Sequence, residues 1–377
     1  MPQDSASAIP FPKPLTDDPR DSYTLPSGYY TDPAVFELEK ERIFFRTWSY
    51  ACHVSQVRSP GDFVAFRLVD QPLFVVRDGD GNLRAFHNVC QHRAHELVRG
   101  SGNLKAVITC PYHAWAYGLD GSLRSARKCE AVRGFDKSEF GLRPVRLEVL
   151  CDMVFVNLDD GAAPLHELAP RLESEIRENL PYWDDLELAE VFDFGGAANE
   201  AGWKVVVDNY LECYHCEAAH PQFVDLIEMP TYEHIVDGIT ARQKGHDVRL
   251  VNSAYPIAPD ARMPHSIFWY LWPTTTINVM PGMGDLLIMQ IIPEGPFRTR
   301  FTSSRFAPPG TPNDPVRRNY FENVVGFEDL QLCESTQRGL FSRGYDQGRL
   351  MVDDALGGEG EHAVHFFHKM VRDALAS

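Results

Sequence analysis

Cys90-Gln91-His92, then the seventeen residues 93–109, then Cys110-Pro111-Tyr112-His113, is the stretch on which the fold of the first half turns. Each half brings one thiolate and one imidazole. Two thiolates can hold one iron of a sulfide-bridged pair while two neutral imidazoles hold the other, a mixed ligation that raises the reduction potential. Tetrahedral zinc also accepts two Cys and two His. Zinc ribbons, however, pair C-x-x-C knuckles, whereas here the ligand types alternate within each half, which favours the iron–sulfur reading. His87 and His95 flank the first half and read as packing or supporting residues, because four ligands are already supplied.

Outward from this stretch the texture is β. Phe63-Val64-Ala65-Phe66 and Leu73-Phe74-Val75-Val76 are short strand-like runs, and Asp78-Gly79-Asp80-Gly81 and Leu119-Asp120-Gly121-Ser122 are turn signals. With Met153-Val154-Phe155-Val156 the pattern predicts one small all-β domain over 46–160, both ligand halves lying on loop tips. Before it, residues 1–45 hold a Pro-rich arm (Ile9 to Pro14) and a helical run from Asp32 to Phe45, expected to pack with the catalytic domain. After it, over 161–377, helices are predicted at Leu165–Asn179, Trp203–Ala219, 315–341 and 361–375. Strands are predicted at 266–272, 275–280, 286–292 and 299–306. Helices segregated from one antiparallel sheet make the second domain α+β. No G-x-G-x-x-G follows a strand, and the Gly357-Gly358-Glu359-Gly360 cluster follows a helix-like region, so no dinucleotide fold is indicated.

That second domain carries its own constellation. Asp208-Asn209-Tyr210-Leu211-Glu212-Cys213-Tyr214-His215-Cys216-Glu217-Ala218-Ala219-His220 places two His five residues apart among carboxylates. On an uninterrupted helix they would point about 140° apart, so a shared metal requires the helix to end or distort between them, and Pro221 suits an end. Glu212 and His215, three apart, would share a face. Two His and a carboxylate from elsewhere make the facial triad of non-haem iron(II), with positions open for dioxygen and substrate. Asp329 is the first candidate for that carboxylate and Glu328 the second. Cys213-x-x-Cys216 lacks the βαβ context of a redox motif, and His362, His365 and His368 read as one partly exposed helix face.

The whole arrangement resembles the oxygenase (alpha) component of the Rieske non-haem iron oxygenases. Cys90, His92, Cys110 and His113 match its cluster pattern, and the resemblance covers nearly the full chain. It implies a Rieske [2Fe-2S] domain beside an α+β helix-grip catalytic domain, with His215, His220 and Asp329 binding a mononuclear Fe(II). It also implies a head-to-tail homotrimer in which a carboxylate three before the first His links the two centres of neighbouring subunits. Glu212 holds that place where many ring-hydroxylating members have Asp, and Asp208 is the alternative. Glu212, with the runs 208–216 and 329–349, is similar to the branch acting on quaternary ammonium compounds: carnitine, γ-butyrobetaine or betaines. That branch cleaves a C–N bond or removes an N-methyl group. Tyr210, Phe268, Trp269 and Tyr270 offer aromatic faces for such a cation. Hydroxylation or O-demethylation of an aromatic acid is the competing activity, and an electron-transfer or structural zinc protein the competing class.

Composition sets the outer bounds. The chain has 377 residues, 44% of them hydrophobic and 24% charged, which suits two globular domains. Lys and Arg number 36 against 53 Asp and Glu, and the net charge of −17 argues against nucleic acid or an anionic membrane as partner. Met1-Pro2-Gln3-Asp4-Ser5 lacks a signal-peptide layout, so a cytoplasmic location is expected. Of eight Cys, two go to the cluster and six are expected as thiols, among them Cys52, Cys129, Cys151 and Cys333. Without a nucleotide fold, electrons must come from a separate NAD(P)H-dependent reductase of flavin or ferredoxin type.

Overall fold

The computed structural model describes residues 9–193, 198–312 and 314–376, so Met1–Ser5 lies outside the described residues. The chain divides into two compact units, Phe44–Glu167 and the pair of segments Met1–Ile43 and Leu168–Ser377. The sequence places these boundaries at 46 and 160, and the segment before the β unit belongs to the larger unit. No helix among the described residues is long and apolar enough to cross a membrane.

The smaller unit is all-β. Its strands are β1 (Ser49–His53), β2 (Asp62–Leu68), β3 (Gln71–Arg77), β4 (Leu83–His87), β5 (Ser101–Asn103), β6 (Val107–Thr109), β7 (Ala116–Gly118), β8 (Leu123–Ser125), β9 (Pro144–Leu150) and β10 (Met153–Asn157). Seven form one sheet in the order β1-β10-β9-β4-β3-β2-β5, and β6-β7-β8 form a second. Both predicted turns are present. Asp78 closes the β3–β4 hairpin by accepting from the amides of Asp80 and Asn82, and Gly121, at φ +84°, turns β7 into β8. One core cluster, around Phe74, Phe86, Ile108, Trp115 and Tyr117, lies under the loops that carry the Cys and His residues.

The larger unit is built on one antiparallel sheet in the order β11-β17-β16-β15-β14-β13-β12, where β11 is Glu187–Asp193, β12 Tyr232–Asp237, β13 Thr240–Gly245, β14 Ser266–Leu271, β15 Thr275–Val279, β16 Leu286–Gly295 and β17 Arg298–Ala307. Four of these strands are predicted, and β11, β12 and β13 are not. β11 alternates exposed and half-buried residues at the sheet edge, β12 is polar at half of its positions, and β13 carries one apolar side chain, Ala241. The predicted helix 315–341 is continuous in path but changes pitch, α over Pro315–Asn319, π over Tyr320–Val325 and α again over Gly326–Leu340. Pro170 lies between the short helix Leu165–Leu168 and the helix Leu172–Asn179, which replace the single helix expected there.

The expected helix Trp203–Ala219 is also broken, and here the break shapes the site. It runs from Trp203 to Tyr210, stops, and resumes as the short helix Cys216–Ala219, followed by Pro221–Leu226. Its anchor is a buried ion pair: Lys204 Nζ meets Glu39 Oε1 while Trp203 Nε1 donates to Glu39 Oε2 at 2.8 Å. Glu39 ends the N-terminal helix Pro33–Glu39, which Asp32 caps by accepting from the Ala34 amide.

Candidate metal centres

The two halves of the cluster motif fold alike. In the first loop the Cys90 amide donates to the His95 carbonyl and the Ala94 amide to the Cys90 carbonyl; in the second the Cys110 amide donates to Trp115 and the Ala114 amide to Cys110. Ala94 and Ala114 both take φ +55°, the left-handed turn that swings each chain back on itself. Cys90 and Cys110 are buried, whereas His92 is exposed and His113 half-buried. The imidazole rings of His92 and His113 lie 4.6 Å apart, and His92 stacks on Trp115 at 4.7 Å. Tyr117 is an addition that the sequence does not signal. Its hydroxyl accepts from the Gln91 amide at 3.0 Å and lies 3.2 Å from Cys90 Sγ, to which it would donate when that sulfur is a thiolate ligand. A hydrogen bond to a ligand sulfur tunes cluster potential. His95 spends Nδ1 on the Glu96 carbonyl at 2.6 Å, in keeping with a supporting role.

The break at Leu211–His215 resolves the angular problem posed by two His five apart. His215 precedes the short helix Cys216–Ala219 and His220 follows it, so the two rings turn back toward each other. His215 Nε2 and His220 Nε2 are 3.1 Å apart, His220 Nε2 and Asp329 Oδ1 2.9 Å, and His215 Nε2 and Asp329 Oδ1 3.5 Å. At metal–ligand bonds of about 2.1 Å, cis ligands on one octahedral face are separated by about 3.0 Å. The triangle therefore fits a facial triad, and these three residues are the metal-compatible group found among the described residues.

Each imidazole is oriented from behind. His215 Nδ1 donates to Glu212 Oε1, and the His215 amide donates to Glu212 Oε2 at 3.1 Å. His220 Nδ1 donates to Glu328 Oε2 at 2.8 Å. Both Nε2 atoms are thereby left facing the metal position, the usual carboxylate–histidine–metal relay. Glu328, second candidate for the third ligand, is instead a support for His220. Burial opposes charge on His215, but its hydrogen bonds to Asp329 and Glu212 outweigh it and push the imidazole up to about 10. Burial likewise raises Asp329, and the two imidazoles reverse it so that the carboxyl is held low. A site that keeps protons on imidazole against burial is electrostatically built for a cation, and a metal enters by displacing them.

Asp208 does not join this triad. It accepts from Tyr30 Oη at 2.6 Å and from His368 Nε2 at 2.9 Å, while His368 Nδ1 accepts from the Leu25 amide. This corrects the reading of the C-terminal histidines: His365 and His368 are buried, and His368 supports Asp208. Its neighbour Asn209 reaches the triad, donating to Asp329 Oδ1 at 3.2 Å. The cysteine count is corrected too. Cys213 and Cys216 are joined as a disulfide around His215, which leaves four thiols besides the two cluster cysteines.

The triad borders a largely apolar cavity of about 240 Å³ whose lining includes Tyr210 and Phe268 but neither Trp269 nor Tyr270. Trp269 projects to the other side of its strand, with Nε1 toward Glu175 at 3.4 Å. Tyr270 is buried with its hydroxyl on the Pro273 carbonyl at 2.6 Å. These two expected substrate contacts are therefore core residues.

Fold and geometry together define a protein with two iron centres, one storing single electrons and one with ligand positions open for chemistry. The Rieske [2Fe-2S] domain family matches residues 47–136, and the catalytic domain of the ring hydroxylating alpha subunit matches residues 189–377. The chain is 38% identical to the carnitine monooxygenase oxygenase subunit of Escherichia coli (strain K12), with 96% of each chain covered. It is 30% identical to the chloroplastic choline monooxygenase of Spinacia oleracea, covering 95% of this chain and 79% of that one. A solved quaternary ammonium Rieske monooxygenase has the same fold at a TM-score of 0.88 and 36% identity, with 95% and 96% of the two chains covered. The chain belongs to the Rieske non-haem iron oxygenases, as an oxygenase component with a [2Fe-2S] cluster and a mononuclear iron.

Proposed function

We propose that this oxygenase oxidises a quaternary ammonium compound, namely carnitine, γ-butyrobetaine or a betaine. Electrons come singly from a separate NAD(P)H-dependent reductase of flavin or ferredoxin type, and the enzyme works as a cytoplasmic homotrimer. Cys90, His92, Cys110 and His113 hold the cluster. His215, His220 and Asp329 hold the mononuclear iron, which when bound supplies dioxygen activation. Glu212, already bonded to His215, carries the electron link from a neighbouring subunit's cluster.

The observation that carries this reading is the cavity beside the triad. Phe223, Phe268, Phe301 and Phe321 line it, as does Tyr210, whose hydroxyl donates to Asn278 Oδ1 at 2.8 Å. Aromatic faces in a dry pocket attract a trimethylammonium group, by about 2 kcal/mol where water is excluded. The relatives named above act on compounds of that kind. In the overall reaction one atom of dioxygen enters a C–H bond and the other leaves as water, with two electrons and two protons consumed. Hydroxylation of the backbone carbon next to nitrogen lets the C–N bond break and trimethylamine depart; hydroxylation of an N-methyl group releases formaldehyde. The test is a panel of carnitine, γ-butyrobetaine, glycine betaine and benzoate-type acids with a matched reductase, measuring trimethylamine and formaldehyde separately. Turnover confined to the benzoate-type acids would overturn the proposal.

A further inference from the structure

The cavity has a polar end that the metal chemistry does not use. Across the sheet, Phe268 pairs with Asn278, Asn278 with Leu287 and Leu287 with Arg305, so these four side chains form one row on one face. All four line the cavity. Three strand spacings separate the ends of the row, about 14 Å. At one end Phe268 packs on Phe223, three residues beyond His220, with ring centroids 6.4 Å apart. At the other stands Arg305. The opposite wall repeats this polarity, because Arg317, Phe321, Val325 and Asp329 follow one another at steps of four along the helical path 315–340 and all face the cavity. Both walls therefore put an arginine at the end remote from the iron ligands.

The pairing at that end is uneven. Asp285, 5% exposed, meets Arg317, 9% exposed, through Arg317 Nη2. Arg305, with 15% of its side chain exposed, reaches the same carboxylate only at 3.4 Å. Two guanidinium groups thus share one carboxylate, and Nε of each has no hydrogen-bond partner among the described residues. Nearby Arg318 is already neutralised by Glu190 at 2.8 Å and Glu322 at 2.7 Å, and Asp314 spends its carboxylate capping the helix Pro315–Asn319. Arg305 therefore has the weakest ion pair of the three arginines, and a buried guanidinium gains from a further acceptor beside it. At the other end the reverse holds: Glu212 and Glu328 are committed to imidazoles, and the aromatic faces suit a cation without a carboxylate counterion.

We infer that Arg305 and Arg317, set by Asp285, form a carboxylate-recognising subsite that orients a zwitterionic substrate with its ammonium group toward the iron and its carboxylate away from it. This rests on the quaternary ammonium reading and deepens it. The enzyme is specific for acids: esters of the same compounds, and choline, which has a hydroxyl in place of the carboxylate, are poor substrates.

The test compares carnitine and γ-butyrobetaine with their methyl esters and with choline, using the iron-loaded enzyme and its reductase, with calorimetric binding of each compound alongside. Wild type should favour the acids over the esters by roughly ten- to hundredfold in kcat/KM, the range of a charge-assisted hydrogen bond. Arg305→Met should raise KM for the acids by a similar factor, leave kcat within about threefold, and leave the esters and choline unaffected. Arg305→Lys should restore part of the preference. Because Arg317→Met would strand Asp285, it is made together with Asp285→Asn, and this pair should also abolish the preference. Equal use of acids and esters by wild type, or equal losses on both in the variants, overturns the subsite while the quaternary ammonium reading stands. Turnover of none of the acids, esters or choline overturns that reading and the subsite with it.

Discussion

Glu212 makes two bonds to His215, one to Nδ1 and one to the amide, and the two should be separable from its charge. Glu212→Gln keeps a side-chain oxygen at the same reach and removes the carboxylate. Both metal centres should stay loaded, by iron content and by the visible spectrum of the cluster, while turnover falls by about a hundredfold, at the upper end of what support of a metal ligand contributes. Normal turnover would take Glu212 out of the electron route. Residue identity makes this position a candidate, since a carboxylate three before His215 is visible in the chain. Tyr117 and His368 were not readable in this way. Their roles come from Cys90 Sγ and Asp208 being brought next to them across 27 and 160 residues. Nor was the polar end of the cavity, although an arginine at 305, in step with Phe301 on one strand face, is the local signal for it.

At the scale of elements, two contacts outside the metal sites set what the helices and loops can tolerate. Glu39 is fully buried against Lys204 and Trp203. Glu39→Ala leaves the Lys204 ammonium without its partner, and the loss of stability should be about 3–5 kcal/mol, read from urea unfolding. His53 caps the short helix Val54–Val57 by accepting from the Ser55 amide at 3.2 Å, while Gln56 returns to the His53 amide at 3.0 Å. That cap requires a neutral imidazole, and burial holds His53 down at about 4 against its ordinary 6.5. The unfolded chain therefore binds a proton in this window and the folded one does not. Stability from this group is complete above pH 6.5 and is lost as pH falls toward 4, with a slope of up to about 1.4 kcal/mol per pH unit. Asn at position 53 also caps but does not titrate, so His53→Asn should remove that part of the slope in thermal melts between pH 4 and 6.5. An unchanged slope would assign the acid sensitivity elsewhere.

For the whole molecule, the smaller unit carries two sheets and the paired Cys/His loops, and the larger unit one sheet and the His215, His220, Asp329 group. Cys110→Ser should bleach the cluster spectrum and abolish turnover while the mononuclear iron stays bound. Asp329→Ala should do the converse, keeping the colour and losing only the mononuclear iron. Loss of both centres in either variant would show the units to be interdependent. Ligand types and spacings, turn signals and β periodicity were sufficient to read the Rieske fold and the α+β catalytic fold, because these are local properties of the chain. Strands β11 and β12 escaped because charged residues interrupt their apolar ones, and β13 because Ala241 is its one apolar side chain, so sheet pairing rather than periodicity makes them strands. The sequence alone therefore determined which residues can bind metal and in what class of fold. Tertiary structure decided which of them converge, that the helix breaks before His215, that Trp269 and Tyr270 belong to the core, and that two arginines share one buried carboxylate. The physical reason is that convergence, burial and charge balance depend on segments far apart in the chain, and no local pattern encodes those distances.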